Sequence, residues 1–295
     1  MLYYHGTTEF SCQGPGAVTL GKFDGVHRGH RKLLRKIREK EGMQSIVFSL
    51  GIRSGQTIYT AKEQKLIAQE AGVDCLIQCP FVPEISRMDP ETFISKILKD
   101  RLHAKYLAVG PDFRFGRDRS GGIDLLRGAQ DRYGYELEVV EKETWEGRDI
   151  SSTFVREELA AGNMELAGEL LGEPYFIAGS VRRGQGEGHR SFVPTINLAV
   201  PEDKLLPPFG VYMSRTWIGG AWYPGVTDVG NKPTVGSFPR GIETYLFGAE
   251  EEMYGESART QLLYFRRPER RFSCEEELRG NIMADVAFGK EYFGG

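Results

Sequence analysis

The residues best suited to chemistry lie between Leu20 and Leu34, in the run LGKFDGVHRGHRKLL. His27 and His30 stand three apart, and Gly21, Gly25 and Gly29 punctuate the chain around Phe23 and Asp24. Glycine permits tight turns and close backbone approach to a ligand. Imidazoles donate hydrogen bonds to oxygens that gain charge. The run is not a P-loop, because no Gly-Lys-Ser/Thr follows the glycines. It is not the GxGxxG dinucleotide fingerprint either. Val18-Thr19-Leu20 reads as a strand end, and Leu33, Leu34 and Ile37 read as one face of a helix beginning at His30. Phosphate at that helix N-terminus is the functional reading. An ordinary strand–helix turn with two surface histidines, or a pair of metal ligands, also fits these residue types.

Three further constellations stand out. Gly110-Pro111-Asp112-Phe113-Arg114-Phe115-Gly116 is a second glycine-flanked loop after an apolar run. Ile150-Ser151-Ser152-Thr153-Phe154-Val155-Arg156 places three hydroxyls and an arginine at the start of a helix, which makes either a cap or an anion site. Thr195 and Asn197 alternate along one strand, so both side chains face the same way and offer hard oxygens suited to magnesium.

The elements that must position these residues alternate. Residues 15–20, 45–50, 73–79, 106–109 and 136–140 read as strands. Helices follow at His30–Glu41, after Thr60 (capped by Thr60 with Glu63 in the capping-box position), at Pro90–Leu98 and near Asp124–Tyr133. This alternation predicts a parallel α/β sheet whose carboxyl-end loops, Gly21–Gly29 and Gly110–Gly116, share one edge. After Leu171-Gly172-Glu173-Pro174 the pattern changes to short β-branched and aromatic runs separated by turns. These predict an antiparallel β-barrel or sandwich, closed by a helix from Cys274 to Phe288 with Ser273 as cap and Glu276 in the capping-box position. The expected domains are residues 1–173 and 174–295.

The 295-residue length fits two domains, and a net charge of −3 gives no reason to expect a nucleic-acid partner. No apolar run reaches membrane-spanning length. MLYYHGTTEF lacks the basic start and apolar core of a secretory signal, so a cytoplasmic location is expected. Cys12, Cys75, Cys79 and Cys274 are dispersed and read as free thiols.

GKFDGVHRGH resembles the nucleotidyltransferase signature GxFDGxHxGH, and more closely that of the bacterial bifunctional riboflavin kinase/FAD synthetase family. GPDFRFG is similar to the family's GxDFRFG loop beside adenine and ribose. ISSTFVR is similar to its ISSTxxR polyphosphate clamp. In the second half the resemblance runs through Pro194-Thr195-Ile196-Asn197, Gly210-Val211-Tyr212, Gly230-Asn231-Lys232-Pro233-Thr234, Glu243 and Arg266-Arg267-Pro268-Glu269. It covers nearly the whole chain, in the family's module order.

The resemblance implies a Rossmann-like FMN adenylyltransferase domain followed by a riboflavin kinase barrel. ATP, riboflavin and FMN are the implied substrates, FAD is the product, and Mg2+ accompanies ATP. His27 and His30 would meet the α-phosphate. Gly21, Phe23, Asp24, Gly25, Asp112 and Phe113 would shape the nucleotide pocket, and Ser151, Ser152, Thr153 and Arg156 would hold the β,γ end. In the kinase half, Glu243 is the implied base. Gly184, Gly186, Gly188, Pro194, Thr195, Asn197 and Arg266 are the implied nucleotide and flavin contacts, with Thr195 and Asn197 at the metal.

The sequence departs from the family in two places. The usual Pro-His-Pro after the second strand is absent, since Ser49-Leu50 runs into Gly51-Ile52-Arg53. In the kinase nucleotide loop His189, Phe192 and Val193 replace the usual arginine, glycine and phenylalanine. Two alternatives fit these departures: an adenylyltransferase with a weakened or inactive kinase domain, or a flavin- or nucleotide-binding regulator without turnover.

Overall fold

The computed structural model describes residues 1–51, 55–182, 195–231, 240–249 and 253–294. Contacts divide the chain into two compact units, Met1–Ser152 and Thr153–Gly295. The division falls at the start of a helix pair, α7 (Ser152–Ala161) and α8 (Met164–Leu171), and α8 packs on a strand of the second unit.

The first unit is built on six parallel strands: β1 (Leu2–His5), β2 (Gly16–Gly21), β3 (Gln44–Leu50), β4 (Cys75–Cys79), β5 (Ala104–Val109) and β6 (Glu136–Val139), in the order β1-β4-β3-β2-β5-β6. Helices α1 (Arg28–Arg38), α2 (Ala61–Glu70), α3 (Pro83–Ser86), α4 (Pro90–Thr92), α5 (Ile123–Gly128) and α6 (Gln130–Tyr133) connect them. The expected α/β alternation is present. β1, absent from the sequence reading, adds an edge strand in register Leu2↔Cys75. The helix expected from Pro90 continues as a π-helix over Phe93–Arg101, with Phe93, Ile94, Ile97 and Leu98 buried. The capping box of α2 forms as expected, Thr60 accepting from the Glu63 N–H while the Glu63 carboxylate accepts from the Thr60 N–H.

Val18, Leu20, Ile46 and Phe48 join the π-helix residues in one apolar layer. Burying such side chains stabilises the fold by roughly 1.5–3 kcal/mol each. α1 buries Leu33, Leu34 and Ile37. β2 pairs directly with β5, in register Thr19↔Ala108. The loops that leave the carboxyl ends of these two strands are therefore neighbours, where open parallel sheets build ligand sites. All four cysteines are free, and the Sγ atoms of buried Cys12 and Cys75 are 3.5 Å apart.

The second unit is a closed antiparallel barrel, ordered β10-β13-β12-β11-β14-β9. Its strands are β9 (Phe176–Arg182), β10 (Thr195–Ala199), β11 (Gly210–Ile218), β12 (Ala221–Asn231), β13 (Arg240–Leu246) and β14 (Ser257–Pro268). A small β7–β8 hairpin (Thr144–Trp145, Arg148–Asp149) belongs to the first unit. Buried hydroxyls in the barrel satisfy one another: Thr227 bonds Ser214 at 2.7 Å and Thr244 at 2.8 Å, and Thr216 meets Thr260 at 2.9 Å. Fully buried Lys204 donates to the Phe176 carbonyl at 2.9 Å. α9 (Glu275–Tyr292) follows β14. Its N-cap is Cys274, and Ser273 bonds Glu277 rather than the expected Glu276. Among the described residues no helix is long and apolar enough to cross a membrane.

Candidate active site

The chain leaves β2 at Gly21 and enters α1 at Arg28, two residues before the expected start. His27 takes the N-cap position of this eleven-residue helix, and its side chain makes no cap bond to the first turn. That end suits an anion. The connecting loop is strained. Phe23 has φ +48° and Val26 has φ +40°, values that side chains rarely adopt, least of all a β-branched one. Gly25 lies at φ +86°, and a Cβ there would fall 2.9 Å from Ile58 Cδ1. Nothing in the sequence except the proximity of glycines signalled Val26 or Ile58.

The result of this strain is a packed aromatic stack. The His27 and His30 rings lie 3.8 Å apart at 25°, and Phe23 packs against His30 at 4.9 Å. The Nδ1 atoms of both histidines are buried and have no hydrogen-bond partner. Burial lowers the His27 pKa to about 4. It holds His30 well below the ordinary value too, and charge on His27 would push it further down. Both rings are thus neutral near pH 7, and each has one N–H to offer. Two orphaned ring nitrogens beside a helix N-terminus are what an oxygen-rich anion would satisfy.

Asp24 is buried and ties the loop to two other segments. Its Oδ1 accepts from the Ile58 N–H at 2.8 Å, and its carbonyl accepts from the Ser152 hydroxyl at 2.7 Å. Ser49, near the end of β3, donates to the Lys22 carbonyl at 3.1 Å. Arg53, just beyond this strand, lies outside the described residues.

The second loop follows β5. Phe113 stacks on Phe115 at 5.7 Å, and Phe115 packs on Phe93 of the π-helix at 5.4 Å. Asp112 is 75 % exposed at its side chain and pairs with Lys142 at 3.2 Å. The third segment is delivered by the β7–β8 hairpin, whose turn uses Glu146 and Gly147 at positive φ. Ser151 stands just before α7, and Ser152 opens it. Thr153 and Arg156 follow on its first turns and belong to the second contact unit.

In the barrel, Thr195 and Asn197 are half-buried while Ile196 and Leu198 between and beyond them are buried, so the two share a face. The Thr195 hydroxyl donates to Glu243 Oε1 at 2.7 Å. Asn197 stands opposite Glu243, and Glu243 opposite Asp228. A hydroxyl, an amide and two carboxylates thus share one patch of hard oxygens, a donor set that suits magnesium. Asp228 was missed because its register against Glu243 is invisible in sequence. Arg266 is exposed and lies over the Phe288 ring of α9, 3.9 Å from its centroid. Gly184, Gly186, Gly188 and Pro194, with His189, Phe192 and Val193, lie outside the described residues. Among the described residues no group of three or more His, Cys, Asp or Glu side chains is arranged to hold a metal ion by itself.

Comparison with known proteins fits this geometry. An FAD synthetase family model matches residues 10–154, and a riboflavin kinase model matches residues 171–293. The bifunctional riboflavin kinase/FMN adenylyltransferase of Escherichia coli K12 is 33% identical over 94% of this chain and 92% of its own. Its counterpart from Pseudomonas fluorescens is 35% identical over 92% and 90%, and that from Bacillus subtilis is 31% identical over 95% and 93%. The crystal structure of a macrolide-efflux protein from Streptococcus pneumoniae shares the fold, with a TM-score of 0.76 over 96% of each chain at 24% identity. Both family models match this chain, one in each half, so neither the adenylyltransferase with a weakened kinase domain nor the regulator without turnover is favoured. The chain belongs to the bifunctional riboflavin kinase/FMN adenylyltransferase family.

Proposed function

We propose that this chain makes FAD in two transfers from ATP. In the barrel, a ribityl hydroxyl of riboflavin attacks the γ-phosphorus and FMN and ADP result. In the first unit, an FMN phosphate oxygen attacks the α-phosphorus, the bond to the β-phosphate bridging oxygen breaks, and pyrophosphate leaves. The observation that carries the second step is the His27–His30 stack at the start of α1, with both Nδ1 atoms buried and without a hydrogen-bond partner.

Adenylyl transfer needs alignment and charge neutralisation more than proton transfer, since the attacking phosphate is already ionised. His27 and His30 donate N–H groups to the α-phosphate as charge builds there. Removal of one such donor costs about 2.7–4 kcal/mol of barrier. Ser151, Ser152, Thr153 and Arg156 hold the β,γ end. Gly21, Phe23 and Gly25 shape the pocket, Asp112 and Phe113 face the nucleoside, and Asp24 acts through its bonds to Ile58 and Ser152. In the barrel Glu243 takes the proton from the ribityl hydroxyl. Thr195 and Asn197 would hold magnesium, which neutralises phosphate charge when bound. Gly184, Gly186, Gly188, Pro194 and Arg266 complete that nucleotide and flavin site. We place the functional boundary at the Gly172–Pro174 turn, and the enzyme in the cytoplasm with small-molecule substrates and no nucleic-acid or membrane partner.

Chromatography of riboflavin incubated with ATP and magnesium tests both steps. FMN should appear first and FAD after it. His27→Ala should stop at FMN, whereas Glu243→Gln should make FAD only from supplied FMN. FAD made from FMN at the wild-type rate by His27→Ala would refute the assignment of the first site.

A further inference from the structure

We propose that Glu141-Lys142-Glu143 is an ionic clasp that holds the three nucleotide motifs of the first unit in register and thereby sets its affinity for ATP. The inference rests on reading that unit as an adenylyl-transfer site, and it assigns residues that no motif includes.

The tripeptide lies between β6 and the β7–β8 hairpin, and it touches all three motifs. Glu143 takes Arg28 at 3.2 Å and Lys32 at 3.6 Å. Arg28 is the residue between His27 and Gly29, and Lys32 follows one turn later on the same face of α1. Lys32 also donates to the Glu141 carbonyl at 3.1 Å. Lys142 engages Asp112 of the second loop at 3.2 Å and Asp149 at 2.9 Å, just before the ISSTFVR segment. The Ile150 N–H bonds the Glu143 carbonyl at 2.9 Å, so the hairpin that follows the tripeptide leads back past Glu143 into Ser151 and Ser152.

The charges are arranged for more than surface solubility. Lys142 neutralises two carboxylates that would otherwise repel a triphosphate, and Glu143 gathers two cations from the first two turns of α1. The Glu143, Lys32 and Arg28 side chains retain 28%, 25% and 37% of their exposure, so the pairs are partly shielded. Isolated exposed pairs contribute little, but a network joining separate loops fixes their spacing as well as its own charges.

This arrangement makes a prediction that a field effect cannot imitate. If only the field at the triphosphate mattered, Lys142→Gln would raise KM for ATP and Glu143→Gln, which frees two cations, would lower it. A clasp predicts that both raise it.

The test uses the full chain, after wild-type enzyme has been shown to convert FMN and ATP to FAD. Each variant should raise KM for ATP in that reaction about threefold and the double variant about tenfold, with kcat little changed. Riboflavin phosphorylation by the same variants supplies the internal control and should not move. Lys142→Arg should restore wild-type behaviour, and the double variant should show a shallower rise of KM with salt than wild type. Opposite shifts for the two single variants, unchanged KM in both, or equal losses in both reactions would overturn the clasp. Failure of wild-type enzyme to form FAD would instead overturn the reading of the site.

Discussion

Acidification should destabilise the first unit through His27, and the size of the effect follows from its burial. Above pH about 6.5 the imidazole is neutral in both folded and unfolded chains, so it contributes no pH dependence. Below that, the unfolded chain takes up a proton that the folded unit refuses until about pH 4. Stability therefore falls with pH between these limits. At 1.36 kcal/mol per unit the full loss is about 3 kcal/mol, of which about 2 kcal/mol is reached by pH 5. His30 acts in the same direction, because its ring is desolvated and stacks on His27. Carboxylates add to the same slope. Glu138, held low by its bonds to Lys36 and Tyr106, is one of them. The informative quantity is therefore the difference between wild type and His27→Gln, which cannot titrate at that position. Trp145 lies in the first unit, whereas Trp217 and Trp222 lie in the second and are 41% and 42% exposed. In a Trp217→Phe/Trp222→Phe background, urea unfolding followed by Trp145 fluorescence reports the first unit alone. Stability profiles with and without the His27→Gln substitution that run parallel from pH about 6.5 to 4.5, within about 0.5 kcal/mol, would refute the argument.

The same buried pair predicts proton uptake on ATP binding near pH 6, because a triphosphate beside the rings favours their charged forms. Calorimetry in buffers of different ionisation enthalpy would show it, and binding heats independent of buffer would contradict it. Gly25→Ala should cost about 1–3 kcal/mol of unfolding free energy, since it forces a side chain into φ +86° and against Ile58. An unchanged melting temperature would show that the loop relaxes freely. Ser152→Ala removes the donor to the Asp24 carbonyl and should cost about 1–2 kcal/mol while slowing FAD formation. FMN formation from riboflavin, measured on the same preparation, should be retained.

Much of this was legible because local chemistry and global fold agree. The alternation of apolar strands with helical periodicity predicted the parallel sheet, and the two glycine-flanked loops follow strands that pair within it. What escaped the sequence depends on contacts between distant residues. β1 is four residues long with no periodicity to mark it, and only its pairing with β4 makes it a strand. The row Asn197–Glu243–Asp228 requires strand register, which no spacing reveals. The partners of Asp24, Ile58 34 residues away and Ser152 128 residues away, lie beyond any local motif. The π-helix replaces an ordinary helix without changing its apolar pattern, so sequence periodicity could not distinguish them.

The closed barrel has a temporal consequence. β9 pairs with β10 on one side but with β14 on the other, for example Phe176↔Gln261. Its second neighbour is therefore made long after it, and the ring cannot close until Ser257–Pro268 has been synthesised. Until then β9 presents an unpaired edge, with the loop-closure entropy of the ring still to be met. The contacts internal to the first unit lie within Met1–Ser152. During translation it can finish folding while the barrel is still an open sheet, so a ribosome pausing between β9 and β14 exposes the later domain, not the earlier one, to misassembly.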